Sequence, residues 1–413
     1  MLFARGDSDF MKRIRILEFD NIILLVLFLC GMNFQAKFFY FALGLFILQC
    51  LTKRYLHYDR MFCIYLLFSV VYCLYGFSAG FMEVVRRIAF LCMYMVGFDS
   101  TMVHANSSND EGLESWVIKC ILFFSAGAFC HYFLNMITNI GSSIGRNTHD
   151  VWTGKILSAT GQAALVCPMV GIAVARIIAP QQNKKRIYPI IAVVIILLYN
   201  TMLAGRTLIA MLLIDSLFCI ILYSIFEDDM NRKLKTWGAL IAIVLLAMAL
   251  YQTNAFGVRS MFEQSNLYAR FFGVTTANDL TEDSRMFRKG YYLTHMWDYL
   301  WGGKHMNAQV GFAHDLLLDC YDEAGILAAI PLLIIVISSV INFVRIARMH
   351  CFSHQNTILI LSFYLCVFIQ FFMEPILAGT RWLFAGFCLV NGCVNAMLKS
   401  QLYRRIDIGS SNE

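Results

Sequence analysis

Charge is what this sequence has least of: 15% of its 413 residues are Asp, Glu, Lys or Arg, against roughly 25% in an ordinary soluble domain. With 59% of residues hydrophobic, the composition excludes a soluble enzyme and indicates a polytopic membrane protein. Proline is scarce too, at 5 residues. Low-complexity tracts and repeating units are not visible, so solenoid and inverted-repeat architectures gain no support, and residues 1–413 are expected to form a single membrane domain. The 14 cysteines lie singly, mostly inside apolar stretches, with no C-x-x-C pair. That spacing disfavours a disulfide framework or a zinc site and makes cysteine a small buried hydrophobe. The formal charge of +6 is dispersed in short basic segments between apolar runs, a pattern that orients a chain in a bilayer and does not suggest nucleic acid.

What the sequence has in abundance is apolar runs. At about 20 apolar residues per crossing, twelve transmembrane helices are expected, near 19–34, 36–52, 61–79, 85–103, 116–139, 158–179, 188–204, 207–226, 237–255, 322–344, 357–374 and 378–398. With the N-terminus inside, the inward segments carry 18 Lys and Arg and the short outward ones 7 (Lys37, Arg86, Arg87, Arg146, Lys155, Arg206 and Arg381). This asymmetry predicts both termini to be cytoplasmic. The segment around Ser108, Asp110 and Glu111 has no basic residue and fits either side. MKRIRILEFD, from Met11, gives a basic start to the first span and no small-residue cleavage site follows, so a retained signal anchor is expected, with Met11 as an alternative start.

One connection is unlike the rest. Residues 256–313, between the ninth and tenth spans, form a large outer loop, and loops of that length in compact domains are functional or disordered. Its aromatic content argues against disorder. Within it, DSRMFRKGYYLTHMWDYLWGG predicts an interfacial helix with Met286, Gly290, Leu293, Trp297 and Leu300 on one face and Arg285, Arg288, Lys289, Tyr292 and His295 on the other. Asp283 or Ser284 would cap it, and Gly302 and Gly303 would end it.

Ionisable residues near apolar spans are costly, about 2.5–3.5 kcal/mol each at a membrane centre, and so mark places to look for chemistry. The densest such stretch is GFAHDLLLDCYDEAGILAAI, residues 311–330, with His314, Asp315, Asp319, Asp322 and Glu323. Histidine titrates near pH 6.5, which suits a general base, although one at a membrane edge is more often a surface residue. Asp315, Asp319 and Asp322 share a helical stripe. Glu323 would lie on the other side from His314 and is expected to be structural, pairing with an arginine. Arg206, in the tight turn of MLAGRTLIA, is a candidate anion contact or a headgroup-snorkelling side chain. Arg285, Arg288 and Lys289 have the same two readings. Weaker candidates are Arg86 and Arg87, His149 with Asp150, and Glu374 with Arg381, each a cavity lining or a headgroup contact. His350 with His354 has a metal-compatible spacing but no clear third ligand. Tyr268, Phe271, Phe272, Tyr291, Tyr292, Trp297, Tyr299 and Trp301 can stack on sugars or form an interfacial belt.

In order along the chain, Gly205-Arg206-Thr207 between spans, DSRMFRKGYY with YLWGG after it, and HDLLLDCYDEAG with its His314, Glu323 and Gly325 spacing resemble the O-antigen ligase and Wzy-type polysaccharide polymerase superfamily of bacterial envelope enzymes. Asp315 departs from the asparagine that many members carry after the histidine, which leaves the acceptor class open. The resemblance implies an all-α polytopic bundle of the membrane glycosyltransferase (GT-C-like) type in the bacterial cytoplasmic (inner) membrane, with the site facing outward. It implies a metal-independent, inverting glycosyltransferase without cofactors, whose donor is an undecaprenyl diphosphate-linked glycan. His314, Arg206 and Arg285 would be catalytic, and Arg288, Lys289, Tyr292 and Asp315 would bind substrate. Polymerisation of lipid-linked repeat units into O-antigen, capsule or exopolysaccharide is the favoured activity, with a flippase and a chain-length regulator as partners beside the lipid bilayer. Transfer to a lipid A core acceptor, as by a ligase, is the alternative. A lipid-linked sugar flippase or transporter is the second alternative; it predicts ionisable residues near the bilayer midplane. A noncatalytic scaffold explains the aromatics but not the aligned Arg, Arg and His.

Overall fold

The computed structural model describes residues 19–52, 56–107, 110–140, 147–181, 186–265, 267–268, 284–349 and 351–410. The Met11 start and retained anchor, Ser108, Arg146, Phe271, Phe272, Asp283 and His350 lie outside the described residues.

Each expected apolar stretch carries a helix, and the elements run in this order: α1 (Phe19–Gly31), α2 (Phe38–Thr52), α3 (Arg60–Leu74), α4 (Phe81–Ser107), α5 (Asp110–Asn139), a hairpin of β1 (Asn147–His149) and β2 (Ile156–Ser158), α6 (Ala159–Ile178), α7 (Ile187–Leu203), α8 (Arg206–Phe226), α9 (Met230–Thr253), α10 (Val258–Glu263), α11 (Ser284–His295), α12 (His305–Val310), α13 (Leu316–Met349), α14 (His354–Phe371), α15 (Ile376–Gly379) and α16 (Arg381–Ser410). Among the described residues six helices, α5, α6, α8, α13, α14 and α16, are long and apolar enough to cross a membrane. The chain is therefore an all-α membrane protein in its fold class, the one small sheet among the described residues being the antiparallel hairpin that pairs Thr148 with Leu157. Helices suit this setting because each satisfies its own backbone hydrogen bonds.

By packing, the chain divides into Met1–Cys130 with Ala385–Glu413 as one unit and His131–Phe384 as the other. In the first unit, glycines let helix backbones touch: a Cβ on Gly97 of α4 would lie 2.2 Å from the Leu389 carbonyl oxygen, and one on Gly392 of α16 would lie 2.2 Å from that of Tyr94. Such small-residue crossings maximise van der Waals contact where lipid gives no hydrophobic drive. Arg87 is neither at a headgroup nor in an open cavity. It is buried, with its guanidinium 4.0 Å from the Tyr72 ring centroid, bonded to the Tyr72 carbonyl and 3.4 Å from Glu83. Arg86 pairs with the same Glu83 at 3.2 Å.

The second unit is organised around α6, which is buried along most of its length. α14 runs antiparallel to it: Arg176 near the end of α6 donates to Asn356 near the start of α14 (2.9 Å), while Ser362 meets the Gly171 carbonyl (2.8 Å). α8 is also antiparallel to α14, since Asp215 meets Ser362 and Met211 meets Gln370. The starts of α6 and α8 therefore share one end of the unit with the end of α14. Away from these contacts α8 and α13 expose Leu213, Leu217, Ile225, Leu327, Ile330 and Ile337, apolar surface suited to lipid.

Candidate functional site

At that shared end, α13 is broken. Gly325 has φ 69° and ψ −173°, a backbone open essentially only to glycine, and it separates a short acidic first part from the long apolar remainder. The preceding segment fits into the break: a Cβ on Gly325 would lie 2.6 Å from the Leu300 carbonyl oxygen, and one on Gly302 (φ 79°) would lie 2.5 Å from the Gly325 nitrogen. Ile326 N–H donates to Leu300 (2.9 Å), Gly303 N–H to Glu323 (3.3 Å) and Lys304 N–H to Asp322 (2.8 Å). Gly302 and Gly303 thus do more than end a helix; they let two backbones lie against each other.

The acidic residues of the first part of α13 hold backbone. Asp315 caps the helix, accepting from Leu317 N–H (3.1 Å) and Leu318 N–H (3.3 Å). Asp319 accepts from Ala313 N–H (2.8 Å) and Asp315 N–H (3.1 Å), the amides on either side of His314. His314 itself has φ 57°, an uncommon conformation for a non-glycine residue. The Asp319 carboxylate fixes it there. Asp322 accepts from Met306 N–H (2.8 Å) and Asn307 N–H (3.0 Å) at the start of α12. Glu323 pairs with Lys304 at 2.9 Å.

Against this platform lies α11, which continues as a tighter turn over Met296–Tyr299. Its two faces segregate as expected, and the basic one turns inward. Arg288 approaches His314 (Nη1 to Nε2, 3.3 Å). Lys289 meets Asp315 (3.5 Å) and donates to the Phe372 carbonyl (2.9 Å). Arg285 pairs with Glu374 at 3.5 Å, just past the end of α14. Tyr292 is fully buried, its hydroxyl shared between the Gly311 carbonyl (3.1 Å) and Asp322 (3.4 Å). Burial, then the Asp322 and Asp319 charges, push the Tyr292 phenol well above its ordinary range, so it remains a donor. Met286, Phe287, Leu293, Trp297 and Trp301 face outward and are exposed.

Because a guanidinium has only donors, Nε2 of His314 is the acceptor in its contact with Arg288, which puts the imidazole proton of the neutral ring on Nδ1. Nε2 is then the one basic nitrogen of that ring. Arg206 opens α8 at the same end of the unit, after a turn in which Asn200 donates to the Gly205 carbonyl (2.9 Å) and a Cβ at Gly205 would strike Asn200 Oδ1 at 2.2 Å. Among the described residues Arg206 makes no ion pair, in contrast to Arg285 and Lys289.

The hairpin at the start of α6 holds a second polar cluster. Burial raises the Asp150 carboxyl, but hydrogen bonds from His131 and Thr153 outweigh that and hold it below its ordinary range. His149 is not its partner; His149 bonds the Gly154 carbonyl (3.0 Å), and Asp150 meets His131 of α5 at 2.8 Å. Arg381 turns back to the Leu377 carbonyl, and His354 stacks on Phe226 with centroids 5.8 Å apart.

Sequence reasoning undervalued Glu374 and Asp319 and did not consider His131 or Asp215. Asp215 is fully buried halfway along α8, with both oxygens within 2.8 Å of the Ser362 hydroxyl. A single Asp in LLIDSLF was the available signal. No family model, curated protein or solved structure matches this chain.

Proposed function

We propose that the protein is a metal-independent inverting glycosyltransferase that polymerises undecaprenyl diphosphate-linked repeat units at the outer face of the bacterial cytoplasmic membrane, using all twelve long helices as spans of a GT-C-like bundle. The observation that carries this reading is the convergence of Arg285, Arg288 and Lys289 on the platform that holds His314, at the end of the unit where Arg206 opens α8. A diphosphate ester needs cations, and a hydroxyl nucleophile needs a base; that end supplies both side by side.

In this mechanism Arg206 and Arg285 hold the diphosphate, with Arg288 and Lys289 beside them. Each close charge pair is worth roughly 4 kcal/mol at 4 Å and an effective dielectric near 20, less where water reaches it. Arg288 has two acceptors to choose between, the imidazole Nε2 and the incoming phosphate. Its move to the phosphate frees Nε2, so the base becomes available when the donor is bound. The acceptor hydroxyl then attacks the anomeric carbon from the side opposite the diphosphate, and its proton goes to Nε2 of His314. The carbon–oxygen bond to the diphosphate breaks with its electron pair on the leaving oxygen, and the new glycosidic bond has inverted configuration. A positioned base contributes about 10²–10⁴-fold.

A ligase would use the same groups with a lipid A core acceptor. A transporter finds support in Asp215, a carboxylate in the middle of α8, but its contacts to Ser362 of α14, and through Ser362 to Gly171 of α6, are those of a clamp between three helices. Reconstitution of the protein with lipid-linked repeat units from its source cells, without added metal, tests the proposal. A glycan ladder lost in Arg206→Ala, Arg285→Ala and His314→Ala supports polymerase activity. A single transfer that requires a core acceptor moves it to a ligase, and lipid movement across the bilayer without transfer refutes it.

A further inference from the structure

The stripe His131, Asn135 and Asn139 on α5, spaced at i, i+4 and i+8, grips the hairpin that leads into α6. Asn139 holds His149 at both its N–H (3.0 Å) and its carbonyl (2.9 Å), and Asn135 accepts from Val151 N–H (2.8 Å). Behind them Gln162 of α6 joins Asn135 (3.3 Å) to Thr148 (3.0 Å). Those contacts anchor Thr148, His149 and Val151 of the hairpin. His131 adds one bond, from Nε2 to Asp150 Oδ2 at 2.8 Å, while the other Asp150 oxygen caps the turn through Trp152 N–H (3.1 Å) and Thr153 N–H (2.9 Å).

The second nitrogen of His131 is the unexplained group. The side chain is 2% exposed, and Nδ1 is buried with no hydrogen-bond partner among the described residues. With Nε2–H donated to the carboxylate, Nδ1 of the neutral ring is a bare acceptor, which in a dry setting costs about 1–3 kcal/mol. A hydroxyl reaching it would satisfy it. Beside it the Trp152 ring lies 5.8 Å from the imidazole and tilted by 46°, an apolar face of the kind on which sugar C–H groups rest. Tyr199, on α7, bonds the Asn135 carbonyl (3.4 Å), and its neighbour Asn200 holds the turn that presents Arg206 (2.9 Å to Gly205). The cluster is therefore built into the end of the unit that carries the proposed site.

From this we infer that His131, oriented by Asp150 and flanked by Trp152, is a hydroxyl-binding subsite for the acceptor sugar, with Nδ1 accepting the hydrogen bond. The inference rests on the glycosyltransferase reading for its word acceptor, and on the geometry of the hairpin for the rest. A purely structural His131 makes a different prediction, because glutamine reproduces its contact to the hairpin: the amide nitrogen takes the place of Nε2 while nothing takes the place of Nδ1.

The test uses the full chain in lipid nanodiscs, a fluorescently labelled oligosaccharide released from the surface glycan of the source cells, and two readouts, equilibrium binding and transfer at saturating donor. His131→Gln is expected to unfold at the wild-type temperature yet to bind the oligosaccharide about 5- to 50-fold more weakly, with the same rise in the acceptor concentration needed for half-maximal transfer and little change in maximal rate. Trp152→Ala leaves the backbone amides that Asp150 caps in place and removes the ring beside the imidazole; it is expected to weaken binding similarly, and it decides the matter should His131→Gln fold poorly. Transfer by the wild type with unchanged binding and transfer in both variants overturns the inference and leaves the proposed function standing. If the wild type transfers nothing, the proposed function fails, and oligosaccharide binding lost in the variants still supports the subsite. No binding to the wild type overturns it.

Discussion

Replacing Gly325 by alanine tests whether the break in α13 builds the site. The backbone there, at φ 69° and ψ −173°, costs a non-glycine residue about 1–3 kcal/mol. The added methyl would also sit 2.6 Å from the Leu300 carbonyl oxygen and from the Trp301 carbonyl carbon, both backbone, so the segment around Leu300 must retreat. Retreat breaks the bond from Ile326 N–H to Leu300, 2.9 Å long, worth about 1 kcal/mol. Gly325→Ala should therefore cost about 2–4 kcal/mol and lower the unfolding midpoint in detergent by roughly 2–5 °C. Transfer should fall further than stability, because Lys304, α12 and Tyr292 are fastened to the same turn through Glu323 and Asp322. Gly302→Ala strikes the same contact from the other side, at 2.5 Å from the Gly325 nitrogen, so the double variant should cost less than the sum of the two singles. A Gly325→Ala protein that melts with the wild type and transfers at its rate refutes the reasoning.

His314→Asn retains a residue that tolerates φ 57° but has no basic nitrogen, so transfer should fall about 10²–10⁴-fold with the melting temperature and donor binding preserved; normal turnover sinks the base assignment. Arg288→Gln, which removes the partner of His314 Nε2, should raise the donor concentration required and slow transfer by about 10–10³-fold, and Arg288→Lys should fall between; single-turnover assays over a range of donor separate the two effects. Asp319→Asn replaces one of the two oxygens that hold Ala313 and Asp315 by a donor, and should cost about 1–3 kcal/mol in unfolding experiments while abolishing transfer. Asp150 has a folded value below its ordinary one, so its contribution to holding the hairpin is complete above the unfolded value near 3.9 and is lost as pH falls through the folded value. In a variant whose only tryptophan is Trp152, its fluorescence should change below about pH 4 and should do so less in Asp150→Asn.

The helices were legible because an apolar run long enough to cross a bilayer has few other stable forms, and the helix over Ser284–His295 was legible from its period. The same period separated its two faces, and the residues of the basic face kept two readings, an anion contact or a headgroup contact. In the structure that face meets His314, Asp315 and Glu374, and the apolar face is outermost. Periodicity assigns residues to faces; it does not say what each face meets. The roles of Asp319 and Asp322 were hidden for another reason. Their partners are backbone amides of Ala313, Asp315, Met306 and Asn307, which have no signature in residue type. The i, i+4, i+8 run of His131, Asn135 and Asn139 in the second half of α5 was a readable signal for the hairpin cluster, since three polar side chains on one stripe of a span require partners.

Those backbone bonds also make a stretch with four acidic residues compatible with the proposed anion site. Asp319 and Asp322 are occupied by two amides each, Asp315 divides its oxygens between the helix cap and Lys289, and Glu323 takes Lys304. Their charge is spent on making the turn, the left-handed His314 and the docking of α11 rigid, as a preorganised site requires. Of the basic groups, Arg288 faces an imidazole and Arg206 has no ion pair among the described residues. In the proposed mechanism a phosphate arriving there would meet cations whose carboxylate neighbours are already engaged, and its contact with Arg288 would draw that side chain from His314 and release the base.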